Sequence, residues 1–266
     1  MDRAKASVKR SQAVALSIGS VDPTQAAGVT VDLAVYRAAG VAGTCAIAAL
    51  TAQNARRVTG MHPIPAAFLR RQLESIWQQV LPHAICIGLL PDARLIRSVD
   101  AFLRSHAPRY GVVIDPVAAS SSGHTFCGPR EIAALRTLCA RATIVTPNAS
   151  EAALLTGRPV RSIAEALAAA QTIARAGCAV LVTGGHLPGS RCTDVLVDRY
   201  GVVRRFSGAR IASTLRGSGG ILAAGITAWL ARGASLEEAV LRARAIVRRA
   251  FRAARRVGRG APQLVI

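Results

Sequence analysis

Short apolar runs alternate with amphipathic stretches along this chain. Val14–Ile18 is an apolar run of strand length, and Val29–Ala39 follows it, after a polar turn, with helical spacing. Thr44–Leu50 predicts a second strand. Phe68, Leu69, Leu73, Ile76 and Val80 recur on one helical face, which predicts a helix over Pro65–Val80. Ala84–Ile87, Val112–Ile114, Thr143–Val145 and Ala179–Val182 are further short buried strands. Between and after them, Asp92–His106, Pro129–Cys139 and Ser162–Ala176 read as helices. Asp92 caps the first of these, and the third opens on a Ser162–Glu165 capping box. Val195–Val197 and Val202–Phe206 flank Asp198–Gly201 as a hairpin, and two long helices close the chain. This alternation predicts an α/β fold with a mostly parallel central sheet and helices on both faces. In such sheets, ligands lie beyond the carboxyl ends of the strands.

The unusual residues collect at those ends: Asp22, Asp32, Gln53-Asn54, Asp115-Pro116, Asn148 with Glu151, and Gly184-Gly185-His186. The stretch Leu215–Gly225 joins them, with Gly217-Ser218-Gly219-Gly220 as its kernel and an apolar run behind it. Small residues opening a buried helix leave backbone N–H groups free at the positive end of the helix dipole, a place for an anion. Singly, each feature has an ordinary explanation. Asp22 caps a turn, Asn148 and Glu151 begin a helix, His186 is a solvated loop residue, and GSGG is a flexible turn before a core helix. Their common placement at one rim points to a binding site.

Charge changes this picture less than its size suggests. The net charge is +20 over 266 residues, yet Lys5 and Lys9 are the only lysines, and arginines are spread along the rest of the chain to Arg259 without interleaved aromatic residues. Stacking platforms for nucleic acid are missing, so no specific nucleic-acid partner is expected. Arg242, Arg248, Arg249, Arg252, Arg255 and Arg256 are expected around the last helix, forming a solvated surface and no groove. Six cysteines form no CxxC or metal-spaced pair, as expected of a reducing cytoplasm. Residues 1–12 read as a basic disordered tail rather than a signal peptide, and the glycines, Gln53 and Asn54 in Ala38–Ala55 argue against a membrane span.

The segments SIGSVDPTQAAGVTVDLAVYRAAGVAGTCAIAALTAQN, VVIDPVAASSSG, IVTPNASEAALLTG, LVTGGH and RGSGGILAA occur in that order. Together they resemble the hydroxymethylpyrimidine kinase / hydroxymethylpyrimidine-phosphate kinase family, the thiamin-pathway branch of the ribokinase-like superfamily. The likeness spans about Val14 to Phe251. It implies a single ribokinase-like domain over residues 13–266, a cytoplasmic homodimer with no membrane partner. The implied activity is transfer of the γ-phosphoryl of Mg2+-ATP to 4-amino-5-hydroxymethyl-2-methylpyrimidine and then to its monophosphate.

By that resemblance Asp32 lies near the substrate hydroxymethyl group, Gln53 reads the aminopyrimidine edge, and Gly28 stands with them. A side-chain amide suits the second task because it offers a donor beside an acceptor. Asn148 and Glu151 match an N-x-x-E element associated with the nucleotide phosphates and Mg2+, Glu151 being the metal-side residue. Gly184, Gly185 and His186 match a nucleotide-side loop, and Gly217, Ser218 and Gly219 an anion hole for the transferring phosphoryl. The chain also departs from the family. Gly220 stands where the family has cysteine, Arg216 where it has histidine, Ser121 and Thr183 where lysines are usual, and Gln25-Ala26 in place of a glycine pair. Two expectations follow: a working kinase that favours the monophosphate, with Arg216 adding charge beside the anion hole, or a kinase-derived protein that binds pyrimidine or nucleotide without turnover.

Overall fold

The computed structural model describes residues 12–54, 57–119, 125–213, 215–259 and 262–263. Chain order is β1 (Val14–Val21), α1 (Val29–Ala38), β2 (Ala42–Gln53), β3 (Val58–Pro63), α2 (Ala66–Gln79), β4 (Ala84–Ile87), α3 (Ala93–Ser105) and β5 (Gly111–Ile114). There follow α4 (Pro129–Cys139), β6 (Ile144–Val145), α5 (Ala149–Thr156), α6 (Ile163–Ala174), β7 (Ala179–Val182), a 3-10 turn at Gly184–His186, β8 (Arg191–Val197), β9 (Val203–Ala209), α7 (Ser218–Ala231) and α8 (Leu236–Ala253). The strands form one sheet ordered β3-β2-β1-β4-β5-β6-β7-β8-β9. From β2 across to β7 every neighbour is parallel, while β3 at one edge and the β8–β9 hairpin at the other are antiparallel. The carboxyl ends of β1, β2 and β4 to β7 therefore share one rim.

Period-two alternation sends successive strand side chains into two separate cores. Leu16, Ile18, Ile85, Ile87, Val112 and Val180 pack with α2 to α6 on one face. Ala15, Cys86, Val113, Ile144 and Leu181 pack with α1, α7 and α8 on the other. Every residue of α7 from Ile221 to Ala228 is buried. Such a helix cannot slide or rotate without disturbing partners on all sides. Its first turn is fixed at the rim as a consequence.

Several sequence expectations need adjusting. β1 and β2 run past Ile18 and Leu50 to Val21 and Gln53, and the hairpin partner β3 was not anticipated. Ser162 accepts the Glu165 N–H at 3.2 Å, but the Glu165 carboxylate takes the Arg161 N–H instead, so the capping box there is half formed. The arginines of α8 are not spread evenly. Arg242, Arg248, Arg249 and Arg252 line one shallow groove of about 370 Å³ with Trp229. The guanidinium groups of Arg232 and Arg242 both stand over the Trp229 ring, 4.4 and 4.2 Å from its centroid. An aromatic residue is thus interleaved with arginines after all, brought in from α7 rather than from the same stretch of chain. Among the described residues no helix is long and apolar enough to cross a membrane, and all six cysteines are free. The tail at residues 1–11 and Ser121 lie outside the described residues.

Candidate active site

The loop between β1 and α1 forms one wall. Asp22 accepts both the N–H and the hydroxyl of Thr24, at 2.9 and 2.8 Å, which folds the loop into a tight turn. Gln25 follows with φ 56°, the left-handed region that glycine enters freely and other residues enter at a cost of roughly 1–2 kcal/mol. A glycine pair at this position is therefore the unstrained choice, and this chain forgoes it. Gly28 caps α1 where a Cβ would meet the Ser20 carbonyl oxygen at 2.3 Å.

This wall is tied to the turn before α7. Arg216 sits 3.4 Å from Asp22 Oδ2 and donates to the Thr24 hydroxyl at 3.5 Å. Its guanidinium thus joins the loop to the turn before α7. The chain's far end reinforces the same place: Gln263 Nε2 donates to the Thr24 carbonyl at 3.2 Å, and the Arg216 N–H donates to the Pro262 carbonyl at 3.3 Å. Gly217 caps α7 with φ 76°, and the first backbone bond of the helix runs from the Ile221 N–H to the Gly217 carbonyl. The N–H groups of Ser218, Gly219 and Gly220 thus precede the helical ladder and open onto the rim.

Two buried acids flank that opening. A Cβ on Gly219 would stand 3.7 Å from Asp115 Oδ2, and one on Gly220 would stand 3.9 Å from Asp32 Oδ1. Asp32 lies in the first turn of α1, and Asp115 directly follows β5. Sequence reading placed Asp115-Pro116 at the rim but gave it no role; an aspartate ending a central parallel strand was the available signal.

The N-x-x-E element is a complete capping box. The Asn148 N–H donates to Glu151 Oε2 at 2.9 Å, and the Glu151 N–H donates to Asn148 Oδ1 at 3.0 Å. Both residues therefore shape the start of α5. A backbone bridge from Asn148 to Thr183 sets this turn beside the one carrying Gly184–His186, in which Gly184 is buried and Gly185 and His186 are exposed. Gln53 is the last residue of β2, half-buried and paired with Val58 across the hairpin. It shares the rim with Asp32 because β1 and β2 run parallel. The structure thus gathers Asp32, Gly219, Gly220 and Asp115 closely, and sets Gln53 and the Gly184–His186 turn at the two sides of the rim.

Asp32, Asp115 and Glu151 are only 8%, 7% and 6% exposed. Burial raises the Asp32 carboxyl to about 7, a Ser17 hydrogen bond opposes the rise, and Asp115 adds to it. Burial also raises Asp115 and Glu151, and for Glu151 the neighbouring charge of Asp115 adds to the effect. This pair titrates as a unit and holds a proton well above the usual carboxylate range. The native state retains protons that the unfolded chain releases at lower pH, so stability falls as pH rises through the raised values. The ligand-free protein is expected to melt at a lower temperature at about pH 8 than at about pH 5, with a shallower slope for Asp32→Asn. Thermal melts across that range check this; a melting temperature that climbs with pH contradicts the buried-acid account.

A parallel sheet with buried acids and a glycine-opened helix at its carboxyl rim is the arrangement of a ribokinase-like small-molecule kinase. The chain belongs to the phosphomethylpyrimidine kinase family, which it matches over residues 22–264. The hydroxymethylpyrimidine/phosphomethylpyrimidine kinase of Rhizobium meliloti (strain 1021) is 38% identical over 253 residues, covering 93% of this chain and 94% of its own. Solved structures agree. The Bacillus subtilis pyridoxal kinase, in an ADP complex, superposes with a TM-score of 0.87 at 27% identity over 95% of this chain and 96% of that one. The phosphomethylpyrimidine kinase of Clostridium difficile 630 does so with a TM-score of 0.79 at 29% identity over 90% of this chain and 99% of that one.

Proposed function

We propose that this protein transfers the γ-phosphoryl of ATP to hydroxymethylpyrimidine and to its monophosphate, with the monophosphate the better acceptor. The observation that carries the reading is the α7 N-terminus with buried Asp32 and Asp115 close beside it; on this reading Asp32 faces the substrate and Asp115 the nucleotide. Phosphoryl transfer through a loose transition state depends mainly on alignment and on charge stabilisation. The Ser218, Gly219 and Gly220 amides supply fixed donors for the equatorial oxygens. Gln53 and Asp32 orient the pyrimidine, and the 184–186 turn receives the nucleotide; that such a fold takes a nucleotide is supported by the similar pyridoxal kinase, which was solved with ADP. The test is a coupled ADP-release assay with each acceptor, run beside calorimetric titration of the same compounds. ADP release on either acceptor supports the proposal, and tight binding without ADP release overturns it.

Magnesium fits the residues present. Asp115 and Glu151 are buried close enough for the charge of one to act on the other, and Mg2+ is suited by one or two carboxylates completed with water and phosphate oxygens. Among the described residues no three acidic, His or Cys side chains gather closely enough to cage an ion unaided. When bound, the ion would neutralise phosphate charge, and Glu151 would hold it from the α5 side. Glu151→Gln retains an acceptor for the Asn148 N–H, so the cap survives. It is expected to weaken Mg-dependent nucleotide binding by ~1–3 kcal/mol while pyrimidine binding stays nearly unchanged. Parallel titrations of both ligands decide it. Equal losses would mean a folding defect, and no loss would leave Glu151 as a helix cap alone. The same reading carries a homodimer in the cytoplasm, the former checked by sedimentation.

A further inference from the structure

The turn after β7 is held from two sides. From below, the Gly184 N–H donates to Asp194 Oδ1 at 2.7 Å, and the buried Asp194 is ion-paired with Arg244 of α8. A Cβ on Gly184 would fall 2.0 Å from the Thr193 carbonyl oxygen, so the backbone is pressed against β8. From the other side comes Arg210, the residue just past β9. Its Nε donates to the Gly189 carbonyl at 2.8 Å and its Nη1 to the Gly185 carbonyl at 2.6 Å. Its Nη2 reaches the carbonyls of Leu187, Gly184 and Arg191. The Arg210 backbone N–H adds a bond to the Ser190 carbonyl at 3.0 Å. Among the described residues no carboxylate pairs with this guanidinium, so its planar fork of donors goes to the carbonyls of a single loop, residues 184–191. A lysine ammonium, with three donors at one point, cannot span those positions.

We infer that Arg210 is a positioning residue which sets the shape of the 184–191 turn and, through it, the affinity for ATP. This rests on the nucleotide-side reading of Gly184–His186 given above. An arginine at the start of the β9–α7 connection would thus act on the nucleotide without touching it, from the same connection that leads to the anion-binding turn.

Three variants separate the possibilities. In Arg210→Lys, loss of several charge-assisted bonds is expected to raise KM for ATP by ~10-fold or more, with kcat and the pyrimidine KM within about 2-fold. In Arg210→Ala the rise is larger, and added guanidinium ion at millimolar concentration lowers it again. Hydrogen exchange speeds up at residues 184–191 and nowhere else. Gly185→Leu tests the underlying reading independently, since nothing lies within 4 Å of a Cβ there and the side chain projects without straining the fold. It is expected to raise KM for ATP by blocking the turn. If Gly185→Leu raises KM for ATP but Arg210→Lys does not, the inference about Arg210 is wrong while the nucleotide-side reading stands. If Gly185→Leu has no effect, the reading fails and the inference with it. A matched rise in both KM values for Arg210→Lys would show a general structural role and overturn the inference as well. Arg210→Lys keeps the charge and most of the side-chain volume, so the test survives a failure of Arg210→Ala to fold.

Discussion

Gly217→Ala is expected to lower kcat by ~10²–10³-fold on both acceptors, the loss seen when donors of an oxyanion-type site are misplaced. The reason is local and steric. Gly217 has φ 76°, and a Cβ there would sit 2.1 Å from the Ala26 carbonyl oxygen. Either the Ala26 backbone or the first turn of α7 must give way. The body of α7 is packed on all sides, so the displacement falls on the Ser218–Gly220 amides or on the loop held by Asp22 and Arg216. Gly40→Ala is the matched control. Gly40 has nearly the same φ, 71°, but nothing lies within 4 Å of its Cβ position, and it follows α1 at the opposite rim. It should cost stability alone, about 1–2 kcal/mol for a non-glycine residue in that conformation, and leave kcat unchanged. Steady-state kinetics and melts on both variants check the contrast. Full activity in Gly217→Ala would show that the amides do not stabilise the transferring group.

The parts of the fold legible in the sequence were those whose pattern reflects their own burial. α4 appears residue for residue where its spacing placed it, and β4 and β7 likewise, because both faces of those strands are covered and their sequences are continuously apolar. β3, with the sequence VTGMHP, was not legible. It is an edge strand held through backbone pairing to β2, its side chains are half-buried or exposed, and Gly60 and Pro63 interrupt any alternation. The site was legible as a set of positions, since parallel strands deliver their ends to one rim. Its partnerships were not. Arg216 read as charge beside the anion-binding turn, but nothing in the sequence marked Asp22 as its ion-pair partner. Gln263 reaches Thr24 across 239 residues, and Arg210 finds its acceptors on backbone carbonyls that no side-chain pattern marks. Contacts of that kind depend on tertiary approach, which hydrophobic periodicity does not encode.

Gly220→Cys is expected to raise kcat/KM for the free alcohol by ~10²–10⁴-fold and to change the monophosphate reaction little, which separates proton handling from alignment. The structure accepts the residue. Gly220 occupies the third position of α7, and the Asp32 Oδ1, 3.9 Å away, is in ordinary contact with the added Cβ. A thiol in the first turn of a helix is drawn toward its thiolate by the dipole and by nearby unpaired amides. Asp32 opposes this when ionised, and with its carboxyl raised to about 7 it is partly protonated near neutral pH. The two acceptors differ in what they ask of such a group. Phosphorylation of the alcohol requires a proton to leave as the new bond forms. The monophosphate presents an oxygen already ionised, because its second pKa is about 6. For that acceptor the α7 amides and charge neutralisation suffice, and the wild type is expected to prefer it more strongly than relatives with cysteine here. The measurement is kcat/KM for both acceptors in both proteins. Equal gains would mean that the side chain reshapes the anion-binding turn without moving a proton. No gain on either, with both ligands still bound, would mean that the missing side chain is not what limits the alcohol reaction.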